Sequence, residues 1–255
     1  MNLARRVFLK ATGLFLLSLG LKPSGGVLAK NESPNFLANP QALKGRRWAM
    51  AIDLKKCKPD CQDCIIACHL AHNVPNFGNP KDEIKWIWRE PLANAFPGQG
   101  LESVNSPWAN KPVIVLCNHC ANPPCVRVCP TQATFQREDG VVMMDYHRCI
   151  GCRFCIAGCP YGARSMNYRD PRPFIKKITP NFPTRTKGVV EKCNFCVERL
   201  AEGLLPACVV ACPEKAIIFG DLKDPQSEIS QILQARFPIR RRPELGTQPQ
   251  VYYLT

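Results

Sequence analysis

The chain of 255 residues predicts an α+β fold in which short strands feed short, cysteine-bearing helical turns. Three observations predict it. Sixteen cysteines fall into four groups of four, and each group is preceded by a short apolar stretch. Three of the groups end in Cys-Pro. Proline cannot donate within a helix and biases its predecessor towards extended geometry, so each Cys-Pro marks the end of a short helical turn.

Residues 1–29 read as an export leader, with a basic start, an apolar stretch from Ala11 to Leu21 and a small-residue exit at Val27-Leu28-Ala29. Within it, Arg5-Arg6-Val7-Phe8-Leu9-Lys10 is similar to the twin-arginine signal R-R-x-F-L-K. The apolar stretch is short for a spanning helix, although an uncleaved anchor stays open. Residues 30–45 form a polar, proline-bearing linker. The main domain, residues 46–220, opens on a strand at 47–53 that delivers the chain to Cys57. Similar strands run over 112–116 before Cys117, 141–145 before Cys149 and 188–192 before Cys193, a fourfold internal repeat. Glu138-Asp139-Gly140 is a turn that joins 133–136 to the next strand as a β-hairpin.

Two segments stand outside this cysteine framework. The insertion at 81–111 carries three of the four tryptophans, Trp86, Trp88 and Trp108. It reads as a covering loop, with a docking surface as the alternative because tryptophan dominates binding hot spots. Residues 221–255 open with Asp224 and Pro225 as N-cap and first position of a helix running to about Ala235. Arg240-Arg241-Arg242 then reads as a solvated face leading into an extended tail.

The third cysteine group, Cys149, Cys152, Cys155 and Cys159 followed by Pro160, reads C-x2-C-x2-C-x3-C-P. In that run three thiolates hold one [4Fe–4S] core and the fourth reaches across to a second cluster, so such groups work in pairs. The remaining groups are Cys57, Cys61, Cys64 and Cys68, then Cys117, Cys120, Cys125 and Cys129, then Cys193, Cys196, Cys208 and Cys212. None is left over. A disulfide framework is the first rival, but such scaffolds are mostly short chains, whereas this length at 45% hydrophobic buries a core without staples. Zinc is the second rival. Its knuckles supply ligands two by two, while three cysteines within seven residues suit the corners of a cubane. Haem attachment is excluded by spacing, because Cys64 to Cys68-His69 is one residue too long for C-x-x-C-H. His69 and His119 then read as polar neighbours of cysteine loops. With clusters replacing much of the usual core, the apoprotein is expected not to fold.

The formal charge of +14 would ordinarily point to nucleic acid or an anionic membrane. Each oxidised cluster with its thiolates carries roughly −2, however, so four contribute about −8. Cleavage of the leader also removes Arg5, Arg6, Lys10 and Lys22 without removing any acid. The loaded mature chain is then close to neutral, and no nucleic-acid partner is expected. Twin-arginine export carries folded proteins, which suits a chain loaded with clusters in the cytoplasm. The expected location is the periplasmic or outer face of the cytoplasmic membrane.

Together with the ending Arg242-Pro243-Glu244-Leu245-Gly246-Thr247 to Val251-Tyr252-Tyr253-Leu254, these features resemble one family. It comprises the four-cluster ferredoxin-like electron-transfer subunits of iron–sulfur molybdoenzyme-type membrane complexes, including dimethyl sulfoxide, polysulfide, tetrathionate and formate-dependent nitrite reductases. Residues 81–88 and 142–149 are most similar to DsrO, the exported iron–sulfur subunit of the sulfite-reduction-associated DsrMKJOP complex. The resemblance implies tandem bacterial-ferredoxin-like units holding four [4Fe–4S] clusters. It implies one cluster on Cys57, Cys61, Cys64 and Cys212, and a second on Cys193, Cys196, Cys208 and Cys68. A third takes Cys117, Cys120, Cys125 and Cys159, and a fourth Cys149, Cys152, Cys155 and Cys129. The first group departs from the family pattern in two ways. Three residues rather than two separate Cys57 from Cys61, and no proline follows Cys68, which leaves that helix free to extend through His69.

The implied partners are an NrfD-like integral membrane subunit that interacts with quinone and a periplasmic multihaem cytochrome c or other redox subunit. The chain would then be peripheral to the membrane through its partner. No Ser/His/Asp arrangement, phosphate loop or dinucleotide fingerprint is present, so the expected role is electron transfer rather than catalysis. Lys56, Arg127, Arg148, Arg153 and Lys192 adjoin ligands and either favour the more negative reduced clusters or are plain surface charge. The alternatives are the electron-transfer subunit of a molybdopterin oxidoreductase and a structural metal-binding scaffold.

Overall fold

The computed structural model describes residues 42–98 and 109–255, all within the compact unit Ala38–Thr255. The leader with Arg5 and Arg6, and the linker up to residue 41, lie outside the described residues. The strands are β1 (Trp48–Asp53), β2 (Ile87–Pro91), β3 (Pro112–Leu116), β4 (Thr134–Gln136) and β5 (Val142–Met144). They continue with β6 (Ser165–Met166), β7 (Val190–Glu191), β8 (Ile217–Asp221), β9 (Pro238–Ile239) and β10 (Val251–Leu254). The helices are α1 (Asp63–Ala71), α2 (Leu92–Ala95), α3 (Pro124–Arg127) and α4 (Phe154–Ala157). After them come α5 (Val197–Ala201), α6 (Ala207–Val210) and α7 (Glu228–Ala235). No helix among the described residues is long and apolar enough to cross a membrane.

All six residues of β1 are buried. A strand apolar on both faces belongs inside a sheet, and β1 lies in the four-stranded order β8-β1-β10-β9. It pairs antiparallel with β8 and parallel with β10, so that Met50 lies between Phe219 and Val251. Three other sheets among the described residues are two-stranded, β2-β3, β4-β5 and β6-β7. The hairpin read from Glu138-Asp139-Gly140 is the antiparallel pair β4-β5.

The fourfold repeat extends to the backbone. Cys64, Cys125, Cys155 and Cys208 sit within α1, α3, α4 and α6. His119, Gly151 and Phe195, each just before the second cysteine of its group, have φ of 41°, 67° and 56°. Gln132, Gly162 and Lys215, each three residues past a fourth cysteine, have φ of 55°, 64° and 49°. Their N–H groups return to the carbonyls of Cys129, Cys159 and Cys212. These left-handed steps curl the last three loops back on themselves, and none lies between Cys57 and Cys68. At Gly151 only glycine serves, because a Cβ there would stand 2.4 Å from the Gly188 carbonyl oxygen. Without a following proline, α1 continues past Cys68 and His69 to Ala71.

The structure corrects four readings outside the cysteine loops. The 81–111 insertion is no mere cover, since its strand β2 pairs residue for residue with β3. Trp86 and Trp88 are core residues at 0% and 5% exposure rather than docking contacts. The C-terminal tail is likewise integral, because β10 lies between β1 and β9 and Tyr253 and Leu254 are fully buried. Arg241 is not solvated. It is buried, donating to the Ala95 carbonyl at 3.0 Å and to Glu90 at 3.2 Å. Finally, Asp224 does not cap the last helix; Ser227 does, accepting from the Ser230 N–H, while Asp224 accepts from Gln226 in the preceding turn.

Candidate metal centres

All sixteen cysteines are free, and the fold gathers their side chains from distant parts of the chain. Cys57, Cys61, Cys64 and Cys212 line one cavity with Ile114 and Ile217, here termed the first site. In the second site the buried Cys68 thiol faces Cys193, Cys208 and Cys196. In the third, Cys120 faces Cys117, Cys125 and Cys159. Cys129, Cys149, Cys152 and Cys155 line a fourth with Ala133, Met144 and Val190. In the last three groups a helical turn carries the third cysteine and a Cys-Pro step follows with the fourth, whereas in the first group Cys64 and Cys68 both lie in α1, one turn apart.

Successive sites adjoin. Cys64 of the first and Cys68 of the second lie one turn apart in α1. His119, beside Cys120 of the third, stacks on Phe195, beside Cys196 of the second, at 3.7 Å. Arg164 donates to Cys125 of the third and to Thr134, whose N–H points to Cys129 of the fourth. The four sites therefore adjoin in the order first, second, third, fourth.

The donor chemistry fits iron–sulfur clusters. Burial, reinforced by neighbouring thiols, pushes Cys64, Cys120 and Cys193 up to about 12, and raises Cys68 and Cys208 well above the usual thiol value. Four such sulfurs become thiolates together only around a multivalent cationic core, which supplies the charge that burial withholds. The surroundings also offer donors that suit thiolate acceptors. Ala216 N–H points to Cys212 Sγ at 3.2 Å, Phe195 N–H to Cys193 Sγ at 3.4 Å and Thr134 N–H to Cys129 Sγ at 3.4 Å. Burial alone would raise Cys129, but hydrogen bonds from Thr134, Thr131 and Ala133 leave it below the ordinary thiol value. Such contacts to sulfur are a principal means of tuning cluster potential.

His119 is buried, accepts the Val142 N–H on Nδ1 at 3.0 Å and stacks on Phe195 at 3.7 Å. It thus ties the loop of the third site to that of the second. His72, Cys196 and Glu198 bring one ligand atom each within 4.8 Å of one another. The His72–Glu198 bond of 2.8 Å and the place of Cys196 among the second-site thiols make this group part of that site's lining. His69 follows Cys68 in α1 and is half-buried.

Of the five basic residues adjoining ligands, Lys56, Arg127, Arg148 and Arg153 are exposed and only Lys192 is buried. Sequence reasoning missed Arg164. It is buried, with Nη2 donating to Cys125 Sγ at 3.1 Å. Its sequence signal is faint, since it lies five residues past Cys159 rather than beside a ligand.

Residues 112–222, which span the second to fourth cysteine groups, match the family described as 4Fe-4S dicluster domain. The chain is 40% identical to the Hdr-like menaquinol oxidoreductase iron-sulfur subunit 1 of Archaeoglobus fulgidus, over 94% of this chain and 96% of the relative. It is 40% identical to a tetrathionate reductase subunit of Salmonella typhimurium, over 94% of this chain and 86% of the relative. It is 37% identical to the menaquinone reductase iron-sulfur cluster-binding subunit of Nitratidesulfovibrio vulgaris, over 82% and 89%. Near-full-length identity at this level, on a fold that assembles buried cysteine quartets, places the chain among the ferredoxin-like [4Fe–4S] electron-transfer subunits of oxidoreductase complexes.

Proposed function

We propose that this chain is a four-cluster electron relay of a sulfur-metabolism respiratory complex, working between an NrfD-like membrane subunit that interacts with quinone and a multihaem cytochrome c. One observation carries the reading: the cysteines gather into four groupings, each adjoining the next through α1, the His119–Phe195 stack and Arg164. Each quartet is assigned one [4Fe–4S] cluster, which supplies one-electron chemistry when bound. The polypeptide's own work is to hold, insulate and tune. Ile114 and Ile217 at the first site, and Ala133 and Val190 at the fourth, keep the cavity walls apolar. The N–H groups of Ala216, Phe195 and Thr134 favour the charged form of the sulfurs they meet.

The quinone-linked names of two relatives support the membrane partner. The similarity of residues 81–88 and 142–149 to DsrO favours the sulfite-linked assembly. Likeness to a tetrathionate reductase favours a second reading, in which the redox partner is a large molybdopterin protein. Arg5 and Arg6 direct the loaded chain through the twin-arginine pathway to the outer side of the cytoplasmic membrane.

Affinity purification from solubilised membranes tests this proposal. The expected companions are a quinone-interacting membrane subunit and a c-type cytochrome, and added quinol or reduced cytochrome should bleach the cluster absorbance. Recovery of a molybdopterin protein with no cytochrome would transfer the chain to the second reading. Retention of an Arg5→Lys, Arg6→Lys double variant in the cytoplasm is expected from the export assignment.

A further inference from the structure

Four lysine and arginine side chains among the described residues are buried, namely Arg164, Arg185, Lys192 and Arg241. Two have conventional partners. Arg185 pairs with Glu191 at 2.5 Å, and Arg241 with Glu90 at 3.2 Å. Lys192 and Arg164, at 1% and 4% exposure, make no ion pair with a carboxylate among the described residues. A buried cation without an anion is among the costliest arrangements in a protein, so the anion must be sought nearby.

The neighbours identify it. Lys192 Nζ donates to the carbonyls of Val142 and Cys193, the latter at 2.6 Å. Cys193 is a second-site thiol, and Val142 in turn donates its N–H to His119, which adjoins Cys120 of the third site. The Arg164 guanidinium spans the next junction, reaching Cys125 Sγ at 3.1 Å and Thr134 Oγ1 at 3.1 Å. Cys125 belongs to the third site, and Thr134 in turn donates its N–H to Cys129 Sγ of the fourth at 3.4 Å. The third site thus lies between two fixed positive charges, and the second and fourth each border one.

We propose that Lys192 and Arg164 are the built-in counter-cations of the two inner junctions, holding the reduction potential of the third site highest above what its thiolates alone would set. Adding an electron makes a cluster more negative, and a fixed cation in a low-dielectric interior favours that change without reorganising. Both side chains are positioning residues for charge rather than ligands. The exposed Lys56, Arg127 and Arg148 are screened by water and salt and contribute far less.

This inference rests on the four-cluster reading, and EPR-monitored potentiometry of purified holoprotein separates the two. Signals are assigned with single Cys→Ser ligand variants. Lys192→Met is expected to lower the potentials of the second and third sites, and Arg164→Gln those of the third and fourth. Each shift should change the oxidised-to-reduced ratio at fixed poise by about tenfold or more, or about 59 mV for a one-electron couple. The first site should not move, and Arg127→Gln, at an exposed residue, should shift every ratio by less than about threefold, as expected of a screened surface charge. Unchanged potentials in a fully loaded Lys192→Met protein overturn the inference while leaving the relay intact. Wild-type protein without four reducible clusters would instead overturn the relay. Where a neutral variant loads incompletely, the charge-retaining Lys192→Arg and Arg164→Lys proteins carry the test. Retained potentials support the assignment, and a tenfold fall in either shows that charge is not the cause.

Discussion

At the scale of single residues, the chemistry rests on which sulfur reaches which site. Cys212 follows Cys208 by four positions, yet the two sulfurs face different sites. Cys212→Ala is therefore expected to disturb the cluster of Cys57, Cys61 and Cys64, with loss of about one to four irons and of a single EPR signal. Disturbance of the Cys68, Cys193 and Cys196 site instead would contradict the exchange. A second residue prediction concerns the buried network behind the second site. Glu191, fully buried, accepts from the Trp86 indole at 2.9 Å and pairs with Arg185, whose Nη2 also donates to the Asn73 carbonyl at 2.8 Å. Arg185→Met leaves that carboxylate without its cation, which costs about 3–5 kcal/mol. The denaturant midpoint for loss of cluster absorbance should fall accordingly, and an unshifted midpoint would show that the pair is dispensable.

At the scale of elements, the cysteine loops were legible because ligand spacing is a local property. In the first three groups three sulfurs fall within nine residues or fewer and are constrained by the cluster they surround, and the strands at 47–53, 112–116, 141–145 and 188–192 announce themselves by short apolar runs. What escaped was non-local. Nothing near residues 251–254 states that they pair with residues 50–53 far back along the chain, so β10 read as a tail. Trp86 and Trp88 read as surface features because their burial depends on β3 and Glu191, both well downstream. Arg164 is hidden for the same reason, since its partner Cys125 lies 39 residues upstream. At the start of α7, Asp224-Pro225 and Ser227 compete as caps, and Ser227 wins because its hydroxyl reaches the Ser230 N–H.

The end of β8 illustrates how a loop is secured to this framework. Asp221 accepts from the N–H groups of Arg46 at 2.9 Å, Arg47 at 2.8 Å and Lys223 at 3.0 Å. Burial alone would raise its carboxyl, but these donors and the Arg46 charge hold it below the ordinary carboxylate value. A depressed folded value stabilises the protein above the unfolded pKa of about 3.9, and that contribution is lost as pH falls through the folded value. Asp221→Asn should thus be less stable than wild type at pH 5 to 7, with the gap closing below about pH 4. A gap that does not vary with pH would assign the effect to hydrogen-bond geometry rather than charge.

At the scale of the whole molecule, sheets and clusters share the structural load. Among the described residues three of the four sheets have only two strands, and isolated two-stranded ribbons are marginal in water. The cysteine loops between them close on sulfur rather than on an apolar core. Anaerobic chelation of iron is accordingly expected to unfold the chain, with loss of near-ultraviolet circular dichroism and rapid proteolysis. A protease-resistant apoprotein would mean that the four-stranded sheet and its aromatic core suffice on their own.

If four sulfur quartets hold four redox-active cubes in one row, the loaded protein must carry their iron and their magnetism together. Metal analysis joined to EPR of anaerobically purified, dithionite-reduced protein reads both. About sixteen irons and an equal amount of acid-labile sulfide per chain are expected, with broadened signals from magnetically interacting neighbours. Stoichiometric zinc, or iron that gives no signal on reduction, would contradict the row of clusters.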